Sequence, residues 1–471
     1  MALLDSLPRH LFSSRGWGLL AAGAVSLLCA QVMGRRDLLA LGVLLVVLPL
    51  VSLAGIRVVK PRFRVYREFS PSTVETNSIT TVRLAVARTG LGTGRVIMEE
   101  RLPPRFGESP AFRFPARSAS GGTSRYEYHL RSGKRGQFTI GPVTAEFTDP
   151  FGLSLHRHSI DDGDTLTVTP AAVELPSTGL AGARGNDGIT ATRTRANPSD
   201  DDVMTREYRH GDPMRRVHWP ATARHGALMV RQEESVTTPE ATVILDHRFV
   251  AHSSGYGPVF GSPGDDGSDL VTSDTFEWAV TAAMSVGAHL AELNYSLRFL
   301  DAGGEPAFHR SSSAPEPDNE EYSGAAGLQS IAESLAAIQL TGPHHARREH
   351  DAGHAAGADP AQSVFDDRLM DKLAAHRMRG PVLALLGKIS LAEARALAPA
   401  AGYAANAFAV VITDKPADCH DVLEALRFGG WRAVAVDAST SLPAAWMYFD
   451  EGDAAMWTAA ADVRRGAEVG R

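Results

Sequence analysis

Two uninterrupted apolar runs open the chain, residues 17–33 and 38–56, separated by the polar turn Gly34-Arg35-Arg36-Asp37. At 1.5 Å rise per residue, each run as a helix approaches or reaches the ~30 Å thickness of a hydrocarbon core. So short a turn predicts a helical hairpin with both ends on one side of a bilayer. Pro49 lies inside the second run, where lipid-embedded helices tolerate a kink. No small-residue cleavage site precedes Arg35 and a second run follows at once, which argues against a cleaved signal peptide. Arg9 and Arg15 precede the first run, and Arg57, Lys60, Arg62, Arg64 and Arg67 follow the second. The turn offers only Arg35 and Arg36, offset by Asp37. This bias predicts a two-span protein of the inner or plasma membrane whose soluble domains are cytoplasmic.

Beyond the hairpin the rhythm shortens to period two. Residues 82–86, 126–130, 143–147 and 166–169 alternate apolar and polar, with Gly and Pro clusters between them. That pattern predicts half-buried antiparallel strands and a β-sandwich. From Thr242 the pattern changes again. Apolar runs at 242–245, 295–300, 381–386, 407–412 and 432–436 read as strands, and residues 276–293 and 422–428 have helical spacing. Strands alternating with helices predict a parallel, Rossmann-type sheet covered on both faces. The expected organisation is therefore multi-domain: a transmembrane hairpin over 1–60, a β-sandwich over 61–175, a linking segment over 176–240 and an α/β domain over 241–471. Residues 253–273, 301–324 and 343–357 interrupt the last domain and read as solvated loops. The third carries His344, His345, His350 and His354, at spacings that match no defined ligand set.

Composition narrows the function classes. With 471 residues, 44% hydrophobic and 21% charged, the chain is globular and exceeds one ordinary core. A formal net charge of -7 speaks against a dedicated nucleic-acid binder. Cys29 and Cys419 are the only cysteines; they imply neither a disulfide framework nor a thiolate metal site.

Residues 206–234 stand out, with six arginines and no lysine. Arginine presents a planar fork of donors that pairs bidentately with carboxylates. Acidic residues flank it: Asp200, Asp201 and Asp202 before, Glu207 and Asp212 within, Glu233 and Glu234 at its end. Asp212-Pro213 reads as a helix start, with Met214 and Trp219 able to bury beside it. Three readings are open: an ion-pair network joining two domains, a docking surface for an anionic partner, or an uncharacterised enzyme using Asp212, His218 and Arg224. In the last, His218 and Asp212 would act as base and orienter, but no nucleophile stands beside them.

The same segment carries a resemblance. Arg206, Tyr208, Gly211, Asp212, Arg216, His218, Trp219, Arg224 and Arg231, in the runs REY, GD, HW, TAR and LMVR, resemble the signature of domain-of-unknown-function family 58. Upstream, RGQFTIGP from Arg135 and DPFGL from Asp149 resemble its β-domain hallmark, and the two apolar runs agree. The resemblance implies a von Willebrand factor A-like fold for the α/β domain. It also implies partnership with a MoxR-type AAA ATPase, with a transglutaminase-like membrane protein as a further neighbour, no cofactor, and a role in protein binding rather than catalysis.

One departure matters. A metal site of the von Willebrand A type uses Asp-x-Ser-x-Ser, because Mg²⁺ needs several hard oxygens. Here the first strand ends Asp246-His247-Arg248-Phe249-Val250. Arg248 and Val250 stand where the serines would be, and a later strand ends Leu386-Gly387-Lys388 without an acid. The expectation is a degenerate site at Asp246 that holds no metal.

Overall fold

A computed structural model describes residues 12–58, 63–88, 96–114, 123–149, 151–176, 205–208, 214, 217–231, 239–252, 270–342, 364–375 and 380–449. Two helices come first, α1 (Ser14–Met33) and α2 (Arg36–Val58). Their best windows have mean hydropathies of 1.6 and 2.6, long and apolar enough to cross a membrane. They are not core helices: Val25, Leu28, Leu44 and Val51 stand exposed. The pair packs through small residues. A Cβ on Gly23 would meet Val46 at 2.7 Å, and one on Gly42 would meet Leu27 at 2.7 Å. The Ser26 hydroxyl donates to the Leu38 carbonyl (2.9 Å). Close backbone approach and a hydroxyl bond between helices are how apolar helices associate without a hydrophobic driving force. Gly34 turns the corner in the left-handed region at φ 71° and donates to the Ala30 carbonyl.

The next domain is all β: β1 (Phe63–Ser70), β2 (Thr73–Glu75), β3 (Ile79–Arg88), β4 (Val96–Glu100), β5 (Ala111–Phe114), β6 (Thr123–Arg131), β7 (Gly136–Ile140), β8 (Val143–Thr148), β9 (Leu155–Ser159) and β10 (Asp164–Thr169). One layer is the sheet β1-β3-β6. The layer facing it is divided into β5-β4-β8-β9 and β2-β10-β7. Alternation explains the packing. Val82, Leu84 and Val86 share one face of β3; Leu84 and Val86 meet Met98 and Phe147, while Val82 meets Phe138 and Leu166. Arg67, on β1, closes the seam between the two sheets of the divided layer. Its fully buried side chain reaches Glu100 (2.6 Å), Asp161 (2.9 Å) and Asp164 (2.5 Å). The Tyr128 hydroxyl donates to the second oxygen of Glu100 (2.5 Å).

A short antiparallel pair, β11 (Thr205–Glu207) with β12 (Met229–Arg231), flanks α3 (Trp219–His225). The last domain contains β13 (Glu240–Leu245), α4 (Phe249–His252), α5 (Asp274–Glu292), β14 (Ser296–Asp301), β15 (Glu321–Tyr322), α6 (Gly324–Ala336), α7 (Asp367–Ala374), β16 (Pro381–Leu386), α8 (Leu391–Leu397), β17 (Asn406–Ile412), α9 (His420–Phe428) and β18 (Trp431–Val436), then a helical stretch at 442–449. The sheet runs β15-β14-β13-β16-β17-β18. Counted within the domain this is the doubly wound order 3-2-1-4-5-6. Its pairings are parallel except for the edge strand β15. Val243 and Leu245 pack on α5 and α6, whereas Ile244 packs toward α7, α8 and α9. Burial on both faces explains why β16 is apolar throughout.

The strand and helix positions agree with the sequence pattern to within a few residues, but one interruption does not behave as a solvated loop. Over 301–324 the chain folds back on the sheet, and Phe308 and Tyr322 are buried against Phe299. Two aromatics in a Gly- and Ser-rich stretch are enough to anchor it on the sheet. Residues 253–269 and the histidine-bearing stretch 343–357 lie outside the described residues.

The β and α/β domains are joined by a buried guanidinium. Arg135, 4% exposed, leaves the β6–β7 turn and enters the α/β domain. Its Nη1 donates to the carbonyls of Leu335 (2.8 Å), Ala336 (3.1 Å) and Ile338 (2.7 Å). Its Nε and Nη2 grip the Glu277 carboxylate at 3.0 and 2.9 Å. One side chain thus serves carbonyls that the end of α6 leaves without helical partners, and places a cation there. Val173 N–H donating to Ser285 Oγ (2.9 Å) and Leu175 within the α/β core add to the joint. An Arg135→Ala chain leaves those carbonyls without their guanidinium donor and Glu277 with only the Thr272 hydroxyl, and its denaturant midpoint should correspond to a loss of about 3 kcal/mol. Arg135→Lys should recover less than half of it, because one ammonium cannot reproduce the fork.

Candidate functional site

Two places concentrate polar groups in defined geometry: the α3 module and the carboxyl end of β13.

In the α3 module, β11 and β12 pair Thr205 with Arg231, Arg206 with Val230 and Glu207 with Met229. Val217, Ala221, Met229 and Val230 are buried and form its apolar centre. The helix α3 starts at Trp219; Asp212 and Pro213, where the sequence pattern places a helix start, lie outside the described residues. His218 is its N-cap, and its Nδ1 accepts from the Ala221 N–H (3.2 Å). Pro220 follows in the first turn, where a missing N–H costs nothing. Gly226 ends the helix at φ 69°. The Thr222 hydroxyl accepts from Met229 N–H (3.0 Å), and His218 N–H donates to the Met229 carbonyl (2.8 Å). Tyr208 N–H donates to the Leu228 carbonyl (2.8 Å).

The signature residues therefore divide. His218 and Tyr208 are half-buried and hold the module together. Trp219, 63% exposed, and Arg224, also exposed, project from it. Arg206 and Arg231 sit on the paired strands. Gly211, Asp212 and Arg216 lie outside the described residues. His218 Nδ1, the nitrogen an acid–base role would orient through Asp212, is occupied by the helix cap. Met214 and Trp219, expected to bury beside a helix start at Asp212-Pro213, are both exposed.

At the carboxyl end of β13 the geometry is tighter. The order reverses between β13 and β16, the topological switch point where open α/β sheets bind ligands. Asp246, 0% exposed, stands there. Arg248 Nε and Nη2 bond its two oxygens at 2.9 and 2.8 Å, and Arg248 Nη1 reaches Glu393 at 2.6 Å. Glu393 belongs to a capping box: it accepts from Ser390 N–H (2.7 Å), and Ser390 Oγ accepts from Glu393 N–H (3.2 Å). Alongside, α4 packs on Gly387. Lys388 N–H donates to the Ala251 carbonyl (2.7 Å), and a Cβ on Gly387 would meet that oxygen at 2.5 Å. Among the described residues no group of three or more acidic, His or Cys side chains is arranged to hold a metal.

Glu393 is the acid that inspection of the strand ends misses, since it enters from the helix after β16. The spacing Ser390-x-x-Glu393 was its only sequence signal, and it marks a helix start, not an ion pair.

Burial opposes the charge on Asp246, yet the Arg248 hydrogen bonds and charge outweigh it and hold the carboxyl below its ordinary range. Glu393 is likewise lowered: burial resists, but bonds from Ser390 and Arg248 prevail. Burial pushes His247 and His252 down, so both rings are neutral at pH 7. The His252 ring bonds the Asp246 carbonyl through Nε2 (2.8 Å) and Thr275 Oγ1 through Nδ1 (3.2 Å).

The family model described as "Protein of unknown function DUF58" matches residues 204–258, which span the α3 module, β13 and α4. No curated protein matches. Among solved structures, a superoxide reductase (neelaredoxin) from Ignicoccus hospitalis is 12% identical over 24% of this chain and 86% of its own, at a TM-score of 0.15. A β-glucosidase from Erythrobacter marinus is 15% identical over 23% of this chain and 16% of its own, at 0.12. Cwp6 from Clostridium difficile is 8% identical over 79% of this chain and 53% of its own, at 0.13. Likenesses of that size assign neither fold nor activity.

Two outcomes follow from the charges. Arg248→Ala strands a buried carboxylate and should destabilise the chain by about 3 kcal/mol at neutral pH. That deficit should shrink in urea titrations at pH 5, because an unpaired, buried Asp246 can take up a proton. In the wild type, lowered histidines contribute stability above their unfolded value near 6.5, and it is lost as pH falls below that. The urea midpoint should therefore fall between pH 7 and pH 5, before Asp246 titrates, and His252→Gln should flatten that slope.

Proposed function

We propose that this chain is a membrane-anchored protein-interaction module, an adaptor or client of a MoxR-type AAA ATPase in envelope or complex assembly. In this reading α1 and α2 cross the inner or plasma membrane and the soluble domains lie in the cytoplasm, on the side favoured by the arginines around the hairpin. The last domain is read as von Willebrand factor A-like. Its support is the 3-2-1-4-5-6 order with one antiparallel edge strand. Its departure from a metal-dependent domain is Arg248: the guanidinium bonds both oxygens of Asp246, where a divalent cation would need them free. The cation is thus covalently supplied, and partner binding does not await a metal.

The observation that carries the reading is the outward face of α3. The module completes its own core with Val217, Ala221, Met229 and Val230, yet presents Trp219 and Arg224 to solvent. Exposed Trp and Arg are the residue types that dominate binding energy at interfaces. A transglutaminase-like membrane protein is a second proposed partner, by the family resemblance alone.

The test is affinity capture of the detergent-solubilised chain with and without ATP, read by mass spectrometry, against Trp219→Ala/Arg224→Ala. The wild type should retain a MoxR-type ATPase that the double variant loses, with both chains melting at the same temperature. Equal retention by the two chains would remove α3 as the docking face; absence of the ATPase from both would remove the partner.

A further inference from the structure

The DPFGL hallmark meets the base of the hairpin. Ser13, the N-cap of α1, donates its N–H to the Leu153 carbonyl (2.9 Å) and its hydroxyl to the Gly152 carbonyl (2.6 Å). A Cβ on Gly16 would lie 2.1 Å from the Leu153 oxygen, so only glycine lets the turn sit this close. On the other helix, the Ser52 and Ser154 hydroxyls bond at 2.9 Å and are buried. Ser52 lies five residues before Arg57, about 7.5 Å along the helix axis. Gly16 adjoins Trp17, the first residue of the first apolar run. The turn therefore docks beside the apolar part of the hairpin, past the charged residue that closes the second run.

The turn is also made ready for a place with little water. The Asp149 carboxylate accepts from the N–H groups of Phe151 (3.1 Å), Leu153 (2.6 Å) and Ser154 (2.8 Å). Burial resists its charge, but these bonds and one from Ser52 hold it ionised, below the usual carboxylate range. Backbone donors satisfied from within are what a non-helical segment needs at membrane depth. Asp149, Leu153 and Ser154 are buried, whereas Phe151 is 65% exposed. An exposed aromatic in a turn whose Asp149, Leu153 and Ser154 are buried has no folding reason to face water. Arg15, exposed on α1, comes within 3.9 Å of a Cβ built on Gly152, at a level where cationic side chains meet lipid phosphate.

We propose that this turn is a lipid-interface element: Phe151 inserts into the interfacial layer of the bilayer, with Arg15 beside it, and fixes the height of the β domain over the membrane. The proposal rests on the reading of α1 and α2 as membrane spans. It is tested by spin labels at single cysteines introduced by Phe151→Cys, Leu44→Cys and Glu424→Cys, with Cys29 and Cys419 replaced by Ala and Ser. Leu44 is exposed on α2 and Glu424 on α9. The full chain is placed in phosphatidylethanolamine–phosphatidylglycerol nanodiscs, and accessibility to oxygen and to a nickel chelate is compared. The label at 151 should show an oxygen-to-nickel ratio several-fold above that at 424 and below that at 44. A ratio at 151 equal to that at 424, with 44 still lipid-like, would overturn the proposal and leave the spans standing. Low access to both reagents at 151 means cover by protein and also overturns it. An aqueous label at 44 would overturn the spans themselves, and the proposal with them.

Discussion

The arrangement of the soluble domains depends on burying Arg135. A guanidinium removed from water needs nearly all of its donors engaged, or it does not stay buried. Here the carboxylate of Glu277 and three carbonyls at the end of α6 supply the acceptors, and they belong to the other domain. The β domain cannot rotate on the α/β domain without stranding both partners. Such a contact adds little net stability compared with an apolar one of the same volume, but it is demanding in geometry. Its natural consequence is a fixed angle between domains rather than a loose tether.

The same device recurs at the other ends of the molecule. Arg67 gathers Glu100, Asp161 and Asp164 at the seam of the divided β layer. Arg248 joins Asp246, on the central strand, to Glu393 at the start of α8. In each case one fork joins acids that are distant in sequence from one another. Lysine would present a point charge and could not span them. With the turn that carries Asp149 bound to both helices of the hairpin, a continuous series of hydrogen-bonded joints runs from α1 to the sheet's carboxyl edge.

That continuity bears on the proposed role. A module that holds one orientation relative to its anchor presents α3 and the strand ends at set positions to a partner. In the proposed role, the Arg248 guanidinium on both oxygens of Asp246 stands in place of a metal at the sheet edge. In that role, the side chains proposed to make the contact are those that project, foremost Trp219 and Arg224.

Much of this was legible in residue order. Apolar run length marks the hairpin, period two marks the β domain, and continuous apolar runs mark the buried parallel strands, because burial on two faces leaves no room for alternation. That Arg248 and Val250 stand where a von Willebrand A-type metal motif would carry serines was equally plain. Other features were decided only in three dimensions. Nothing in the run RGQF tells that Arg135 ends among carbonyls two hundred residues away. Nothing near Leu386 tells that Glu393 is the acid of the switch point. Phe308 and Tyr322 turn a Gly- and Ser-rich stretch into packed structure, and Trp219 faces solvent where its size suggests burial. Local pattern reports which groups need burial or pairing. Which partner satisfies them is set by the fold, since that choice depends on distances between elements that a linear sequence does not carry.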